Sequence, residues 1–132
     1  MNLYGLGTEI VDVARIARMI HRHGETFLRR VFTEREMRQC HAHPQSTECF
    51  AALWAGKSAI LKSLGQTRPR HPGEWIDFEI LQSGQGKPQV LVGGASKTAL
   101  VQLRLADLVV TVAHCRTYAT ATALAFVGPA KT

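Results

Sequence analysis

Apolar residues recur at helical spacing over one long segment in the middle of the chain. In ECFAALWAGKSAILKSLG they return every three or four residues, which is typical of a helix packed against a core. Gly56 is the only interruption, and Gly65 stands where a helix usually ends. The pattern therefore predicts one helix from about Thr47 to Leu64.

Shorter patterns on both sides predict further helices and strands. Alternating residues predict a strand from Leu3 to Val11, and Asp12 can cap a following helix that ends at Gly24. The other predicted elements are helices over 25–31, from 33 to before 43 and over 93–105, and strands over 75–81, 89–92, 107–115 and 118–127, with a hairpin turn at 82–88. We expect an α+β fold, with an antiparallel sheet and one long central helix packed across it.

Length and composition are those of an ordinary globular domain. The chain has 132 residues, 45% of them hydrophobic and 20% charged, so we expect one domain over 1–132. No apolar run reaches membrane-spanning length, and no signal peptide is visible. Three cysteines form no disulfide pattern, which favours a reducing compartment. These features predict a cytoplasmic protein without a membrane partner.

Positive charge is concentrated in the helix after the first strand. The formal net charge is +6, and Arg15, Arg18 and Arg22 lie three or four residues apart on the face opposite the apolar stripe. Such a face attracts nucleic acid, a phosphorylated cofactor or an acidic protein. No aromatic residues are interleaved for base stacking, so nucleic acid is the least favoured of the three.

The central segment contains Gly-Lys-Ser, the end of a phosphate-binding P-loop motif. That motif requires a glycine at position 51, where the chain has Ala51, and it should follow a strand. A P-loop is therefore disfavoured. On a helix, Ser58 and Lys62 share one face with Lys57 adjacent, and the simplest interpretation of the segment alone is a solvated polar stripe.

Two further side chains are candidates for chemistry at phosphates. Glu9 near the end of the first strand could bind Mg²⁺, which takes one or two carboxylates together with substrate phosphates. His114 ends a β-rich run and could contact a phosphate or relay a proton. A surface acid and a structural histidine are the alternatives.

Six segments together resemble one family over the range from Tyr4 to Phe126. In chain order they are GLGTEIVDVARI, FTERE, WAGKSAILKSLG, WIDFEI, GKP and VAHCRTYATATA. Their order and spacing are similar to those of the holo-acyl-carrier-protein synthases, the small 4′-phosphopantetheinyl transferases. The resemblance implies the phosphopantetheinyl transferase fold.

The resemblance also implies a reaction, its cofactor and its partners. Members of the family move the 4′-phosphopantetheine arm of coenzyme A onto a serine of an acyl carrier protein and release 3′,5′-ADP. They use Mg²⁺ at the pyrophosphate and serve fatty acid biosynthesis in lipid metabolism. Their usual assembly is a homotrimer with each site between two subunits. The expected partners are therefore coenzyme A and an acyl carrier protein.

Transferred position by position, the resemblance assigns roles to residues of this chain. It assigns catalysis to Glu9, Ser58 and Lys62, and metal binding to Glu9 and Ser58. It assigns coenzyme A binding to Lys57, Lys62, Gly65 and His114, and carrier docking to Arg15, Arg18 and Arg22.

The chain departs from the family at both metal-ligand positions. Glu9 stands where the family has an aspartate, and Ser58 stands where it has a glutamate. Because serine lacks the charge of a carboxylate, we expect weaker Mg²⁺ binding and slower catalysis. Glu36 and Glu79 are candidate substitutes for the missing acid. The departure also admits an alternative function, in which the chain binds coenzyme A or a carrier protein without transfer.

Overall fold

A computed structural model describes residues 1–82 and 87–129 and has the predicted α+β architecture. Its elements, in chain order, are β1 (Asn2–Asp12), α1 (Val13–His23), α2 (Glu25–Val31), α3 (Glu34–His41), α4 (Ser46–Ser63), α5 (Glu74–Asp77), β2 (Phe78–Gln82), β3 (Pro88–Val92), α6 (Gly94–Leu103), β4 (Leu105–His114) and β5 (Tyr118–Val127). None of the helices in these two ranges has the length and apolar character needed to cross a membrane.

The main sheet has three antiparallel strands in the order β1-β5-β4, and β2 and β3 form a separate hairpin. Side chains of a strand alternate between its two faces. Along β5 the alternating residues on one face are alanines, and all of them are buried: Ala119, Ala121, Ala123 and Ala125. Because alanine is small, α4 packs closely across this face of the sheet.

Strand β1 approaches α4 more closely than a side chain would allow. A Cβ atom added at Gly5 would lie 1.9 Å from the carbonyl oxygen of Ser63, and one at Gly7 would lie 1.9 Å from that of Ala59. The two glycines therefore let the strand backbone rest on the helix. This contact fixes the position of Glu9, two residues further along the strand, relative to α4.

Helix α4 is the centre of the core, as the apolar spacing predicts. It runs over Ser46–Ser63, within one residue of the expected bounds at each end, and most of its residues are buried. Gly65 follows with a φ of 84°, a left-handed conformation that glycine adopts without strain. The helix lies between the sheet on one side and α1, α3 and β2 on the others.

The helix ends follow the predicted capping chemistry. The Asp12 side chain accepts a hydrogen bond from Ala14 N at the start of α1, and the backbone N–H of Gly24 closes that helix. Thr33 and Glu36 form the expected capping box at the start of α3. These polar groups satisfy backbone donors that have no partner within the helix.

The predicted strand over 75–81 begins three residues too early. The chain forms the short helix α5 there, and β2 starts only at Phe78. Asp77 explains the difference, because its carboxylate accepts hydrogen bonds from the backbone and hydroxyl of Ser96 in the first turn of α6. The alternating pattern cannot reveal this tertiary cap. The predicted hairpin turn at 82–88 lies largely outside the described residues.

Candidate active site

Glu9, Ser58 and Lys62 meet where β1 crosses α4. Glu9 points toward the helix, and the hydroxyl of Ser58 donates a hydrogen bond to its Oε2 at 2.7 Å. Lys62 Nζ lies 3.2 Å from the same oxygen and donates to the carbonyl oxygen of Thr8 at 3.1 Å. The spacing of four residues between Ser58 and Lys62 places both on the helix face that the strand covers.

The environment keeps the Glu9 carboxylate ionised. Partial burial acts to raise its pKa, but the hydrogen bonds from Ser58 and Lys62 and the charge of Lys62 outweigh it, and the pKa lies below the ordinary value. The side chain of Glu9 is 19% exposed and that of Lys62 is 38% exposed. An anionic and a cationic group are thus accessible side by side.

The donor set fits a magnesium ion held by one carboxylate of the protein. Mg²⁺ accepts one carboxylate when substrate phosphates and water complete its coordination. Within residues 1–82 and 87–129, no group of three or more histidine, cysteine and acidic side chains could hold a metal. Glu9 supplies the carboxylate of this cluster, and the Ser58 hydroxyl is a neutral oxygen beside it.

Neither candidate substitute for the missing acid is free to join Glu9. Glu36 is fully buried and is held by Lys57 and by the backbone N–H of Ile80. Glu79 accepts hydrogen bonds from the side chains of Thr33 and Arg35. Both glutamates are committed to the packing of α3 against the β2 region. The geometry therefore does not support Glu36 or Glu79 as a second acid beside Glu9.

Lys57 lies in the core and not at the surface where coenzyme A would bind. Its Nζ is 2.9 Å from Glu36 Oε1, and the exposed fractions of the two side chains are 1% and 0%. The ammonium also donates to the carbonyl oxygens of Trp75 and Phe78. The expected contact with coenzyme A has no support in this arrangement, which joins α4, α3 and the start of β2.

Burial shapes the titration of this ion pair. Loss of hydration raises the pKa of Glu36 and lowers the pKa of Lys57, while the attraction between the two charges opposes both shifts. Every polar atom of the pair needs its partner, because an unpaired buried charge is costly. The sequence places Lys57 next to Ser58, but consecutive side chains on a helix point about 100° apart. The sequence therefore does not reveal that the Lys57 side chain points into the core.

His114 and Gly65 lie at opposite ends of α4. His114 Nδ1 is 2.9 Å from Glu48 Oε1, in the first turn of the helix. Ten residues separate Glu48 from Ser58, which is about 15 Å along a helix axis. Gly65 instead follows Lys62 closely, with its N–H bonded to the Lys62 carbonyl oxygen at 3.0 Å and open space where a side chain would be. Of these two residues, Gly65 is the one that adjoins the Glu9 cluster of its own chain.

The predicted docking arginines form an exposed face of α1. Arg15, Arg18 and Arg22 are all exposed and lie three or four residues apart along this face. Arg15 also lies over the ring of Trp54, with 5.8 Å between its Cζ and the ring centroid. Sequence analysis missed this aromatic neighbour, although the spacing of Trp54 four residues before Ser58 could have drawn attention to it.

Comparison with known proteins identifies the family of this chain. The family model described as the 4′-phosphopantetheinyl transferase superfamily matches residues 5–123. A holo-[acyl-carrier-protein] synthase of Chlamydia pneumoniae is 34% identical over 125 residues, which cover 95% of this chain and 98% of that protein.

Two solved structures show the same fold. Holo-[acyl-carrier-protein] synthase from Neisseria meningitidis superposes with a TM-score of 0.86 at 24% identity, covering 94% of this chain and 98% of that one. The Chronobacterium ammoniagenes protein, solved as a complex with CoA, gives a TM-score of 0.78 at 27% identity and covers 95% and 98%. This chain belongs to the 4′-phosphopantetheinyl transferase superfamily, as an enzyme of the holo-[acyl-carrier-protein] synthase type.

Proposed function

We propose that the chain transfers the 4′-phosphopantetheine arm of coenzyme A to a serine of an apo acyl carrier protein, using Glu9, Ser58 and Lys62 at the reacting phosphates. In this reaction the serine oxygen bonds to the phosphorus that carries pantetheine and gives up its proton to water, and the bond from that phosphorus to 3′,5′-ADP breaks with its electron pair going to 3′,5′-ADP. The observation that carries the proposal is the ionised Glu9 carboxylate held by Ser58 beside the accessible Lys62 ammonium.

Glu9 and Ser58 are the residues that would hold Mg²⁺. The ion, when bound, supplies positive charge that offsets the charge developing on the phosphates. Glu9 contributes the negative ligand, and the Ser58 hydroxyl orients the carboxylate. Lys62 adds a second positive charge for the pyrophosphate, and Gly65 leaves room for the nucleotide beside it. Lys57 is not part of this proposed site.

A homotrimer would bring His114 to the site of a neighbouring subunit. His114 is remote from the Glu9 cluster of its own chain, so in this proposal it serves coenzyme A across a subunit contact. The sheet face away from α4 is suited to such a contact, because Leu6 and Ile10 are 58% and 61% exposed there. The paired threonines Thr8, Thr122 and Thr111 form a row across the same face.

Breaking this face tests the assembly. Ile10→Arg places a charge in the centre of the proposed interface, and we expect monomers by light scattering where the wild type gives trimers. Val101→Ala on α6 is the control, since Val101 is exposed and lies outside the sheet. Unchanged trimers of Ile10→Arg would place the interface elsewhere.

The carrier protein docks on α1 in this proposal. Arg15, Arg18 and Arg22 present positive charge, which complements an acidic carrier surface and steers its approach. We place the reaction in the cytoplasm, in fatty acid biosynthesis, with residues 1–132 acting as one domain. The family resemblance supports this placement.

Substitution of Glu9 tests the proposed site. We expect Glu9→Gln to lose Mg²⁺ binding in the presence of coenzyme A, measured by calorimetry, and to slow transfer about 100-fold or more at saturating coenzyme A. Glu9→Asp keeps the charge and should retain part of both. Wild-type transfer by Glu9→Gln would contradict the proposal, and a wild type that binds coenzyme A without transferring its arm would favour the alternative, non-catalytic function.

A further inference from the structure

The two tryptophans of the chain are stacked between the basic face of α1 and the Glu9 cluster. The ring centroids of Trp54 and Trp75 lie 5.7 Å apart with an angle of 28° between the planes. Both side chains are only partly buried, so ring surface remains accessible. The guanidinium of Arg15 lies over Trp54 on the side of α1. Three elements, α1, α4 and α5, thus meet in one aromatic cluster.

The cluster continues into the proposed active site along one stripe of α4. Trp54, Ser58 and Lys62 are spaced by four residues, so they follow one another on the same helix face at steps of about 6 Å. The stripe passes from an aromatic ring to a hydroxyl and then to an ammonium group. A carrier protein that contacts α1 and Trp54 is therefore within one helical turn of the residues that would act on its serine.

We propose that the Trp54–Trp75 stack is the apolar contact for the acyl carrier protein and that it positions Arg15 to bind an acidic side chain of that carrier. The inference rests on the proposed function and names two recognition residues for it. Tryptophan and arginine are the residues most enriched among those that dominate protein interfaces. A rigid ring pair also offers apolar area with little loss of conformational entropy on binding.

The contact with Trp54 lowers the entropy that Arg15 loses on binding, compared with the other arginines of α1. A long side chain that is free in solution loses rotamer freedom when it binds. The cation–π contact with Trp54 restricts Arg15 before the carrier arrives, so less of that loss falls on the binding step. Arg15 is thus a positioned docking residue, and Trp54 acts partly through it.

Steady-state kinetics of tryptophan variants test the proposal. We expect Trp54→Leu and Trp75→Leu to raise the KM for the carrier roughly tenfold or more, as for residues that dominate an interface. The KM for coenzyme A and the kcat should change less than about twofold, within the range of an uninvolved surface substitution. Trp54→Phe and Trp75→Phe keep a ring and should restore most of the affinity. Val101→Ala, on exposed α6, is the matched control.

Circular dichroism and melting temperatures show that the variants compared are folded. Substitution of the Trp75 side chain leaves its backbone carbonyl oxygen in place as an acceptor for Lys57. The buried ion pair of Lys57 and Glu36 should therefore be kept. If a leucine variant does not fold, the fluorescence titration of the wild type described below still decides the question.

A double-mutant cycle isolates the positioning role. If Trp54 acts through Arg15, the increase in carrier KM for Arg15→Leu/Trp54→Leu should be smaller than the product of the two single increases. Independent contributions, with an effect equal to that product, would overturn the positioning of Arg15. A role in stability alone would leave the carrier KM of every folded variant unchanged.

Intrinsic fluorescence gives a direct readout, because the chain has only two tryptophans. Titration with an apo carrier that lacks tryptophan should change the emission of the wild type, and each single-tryptophan variant should retain part of the change. A carrier that binds without changing the emission, or with equal affinity for the leucine variants, would overturn the inference.

The transfer assay and the measurements of carrier binding together separate this inference from the proposed function. A wild type that transfers the arm, with leucine variants that keep its carrier KM, would refute the tryptophan contact alone. A wild type that shows neither transfer nor binding of any carrier would refute both. Carrier binding that depends on the tryptophans, without transfer, would support the docking surface while contradicting the enzymatic function.

Discussion

Ser58 Oγ lies 2.7 Å from Glu9 Oε2 and donates a hydrogen bond that joins α4 to β1. The family resemblance implies an aspartate and a glutamate at these two positions, where this chain has a longer acid on the strand and a shorter, neutral residue on the helix. The Glu9 side chain reaches α4, where its carboxylate meets the Ser58 hydroxyl. One protein carboxylate remains at the centre of the cluster.

Replacing Ser58 with glutamate should restore the second acid. We expect Ser58→Glu to bind Mg²⁺ at least about tenfold more tightly, because it adds a negative charge beside Glu9. Without metal the two carboxylates repel, so the melting temperature should fall and should recover when Mg²⁺ is added. Calorimetry and thermal denaturation with and without Mg²⁺ measure both effects.

Ser58→Ala is the matched control for that substitution. It removes the hydroxyl without adding charge, and we expect no increase in metal affinity. If Ser58→Glu binds Mg²⁺ no better than Ser58→Ala, the metal does not occupy the Glu9 cluster.

The lowered pKa of Glu9 predicts a pH dependence of stability. A carboxyl whose pKa is lower in the folded state stabilises the fold above its unfolded pKa, near the ordinary 4.5, and loses that contribution as the pH falls through the folded pKa. The melting temperature of the wild type should therefore fall more steeply below pH 4.5 than that of Glu9→Gln.

Titration of the Glu9 carboxyl by NMR measures the shift directly. We expect Ser58→Ala to raise the pKa of Glu9, since it removes the hydrogen bond that favours the ionised form. An unchanged pKa in Ser58→Ala would show that Lys62 and the backbone N–H of Ile10 hold the carboxylate without the hydroxyl.

The buried pair of Lys57 and Glu36 predicts a loss of stability without a loss of coenzyme A affinity. Lys57→Met leaves Glu36 buried without its partner, which should lower the free energy of unfolding by about 3–5 kcal/mol. Glu36→Gln combined with Lys57→Met should recover part of that loss, because it also removes the unpaired charge. Denaturant unfolding measures these changes, and the folded variants should keep the KM for coenzyme A. If Lys57→Met raised the KM for coenzyme A at unchanged stability, Lys57 would belong to the coenzyme A site.

The close approach of β1 and α4 predicts intolerance of a methyl group at Gly7. In Gly7→Ala the new Cβ would lie 1.9 Å from Ala59 O, so the strand must move away from the helix. We expect a loss of about 3 kcal/mol or more in the free energy of unfolding, together with impaired Mg²⁺ binding at Glu9. Gly128→Ala is the control, since its nearest neighbour is Arg104 O at an ordinary 3.9 Å. Equal stability of the two variants would contradict the packing described.

Sequence periodicity captured the elements whose structure depends on local pattern. Helix α1 has the predicted bounds Val13–His23, because Asp12 and Gly24 fix its two ends through short-range hydrogen bonds. Helix α4 is within one residue of its predicted bounds, since a helix with apolar residues on several faces is suited to a buried position.

Expectation and structure differ where long-range contacts decide the outcome. The strand predicted from residue 75 begins at Phe78, because the tertiary cap at Asp77 overrides the alternating pattern. Lys57 was assigned to coenzyme A from its motif, but Glu36, distant along the chain, holds it in the core. No local signal distinguishes a buried lysine from an exposed one, and the same holds for the stacking of Trp54 on Trp75.

Intact-mass spectrometry of an apo acyl carrier protein, incubated with this protein and coenzyme A, tests the central claim most directly. The reaction is run with Mg²⁺, with a chelator and with Glu9→Gln in place of the wild type. We predict a mass increase of one phosphopantetheine arm that requires both the metal and Glu9. The absence of any increase across a panel of carriers, from a wild type that binds coenzyme A by calorimetry, would contradict the account.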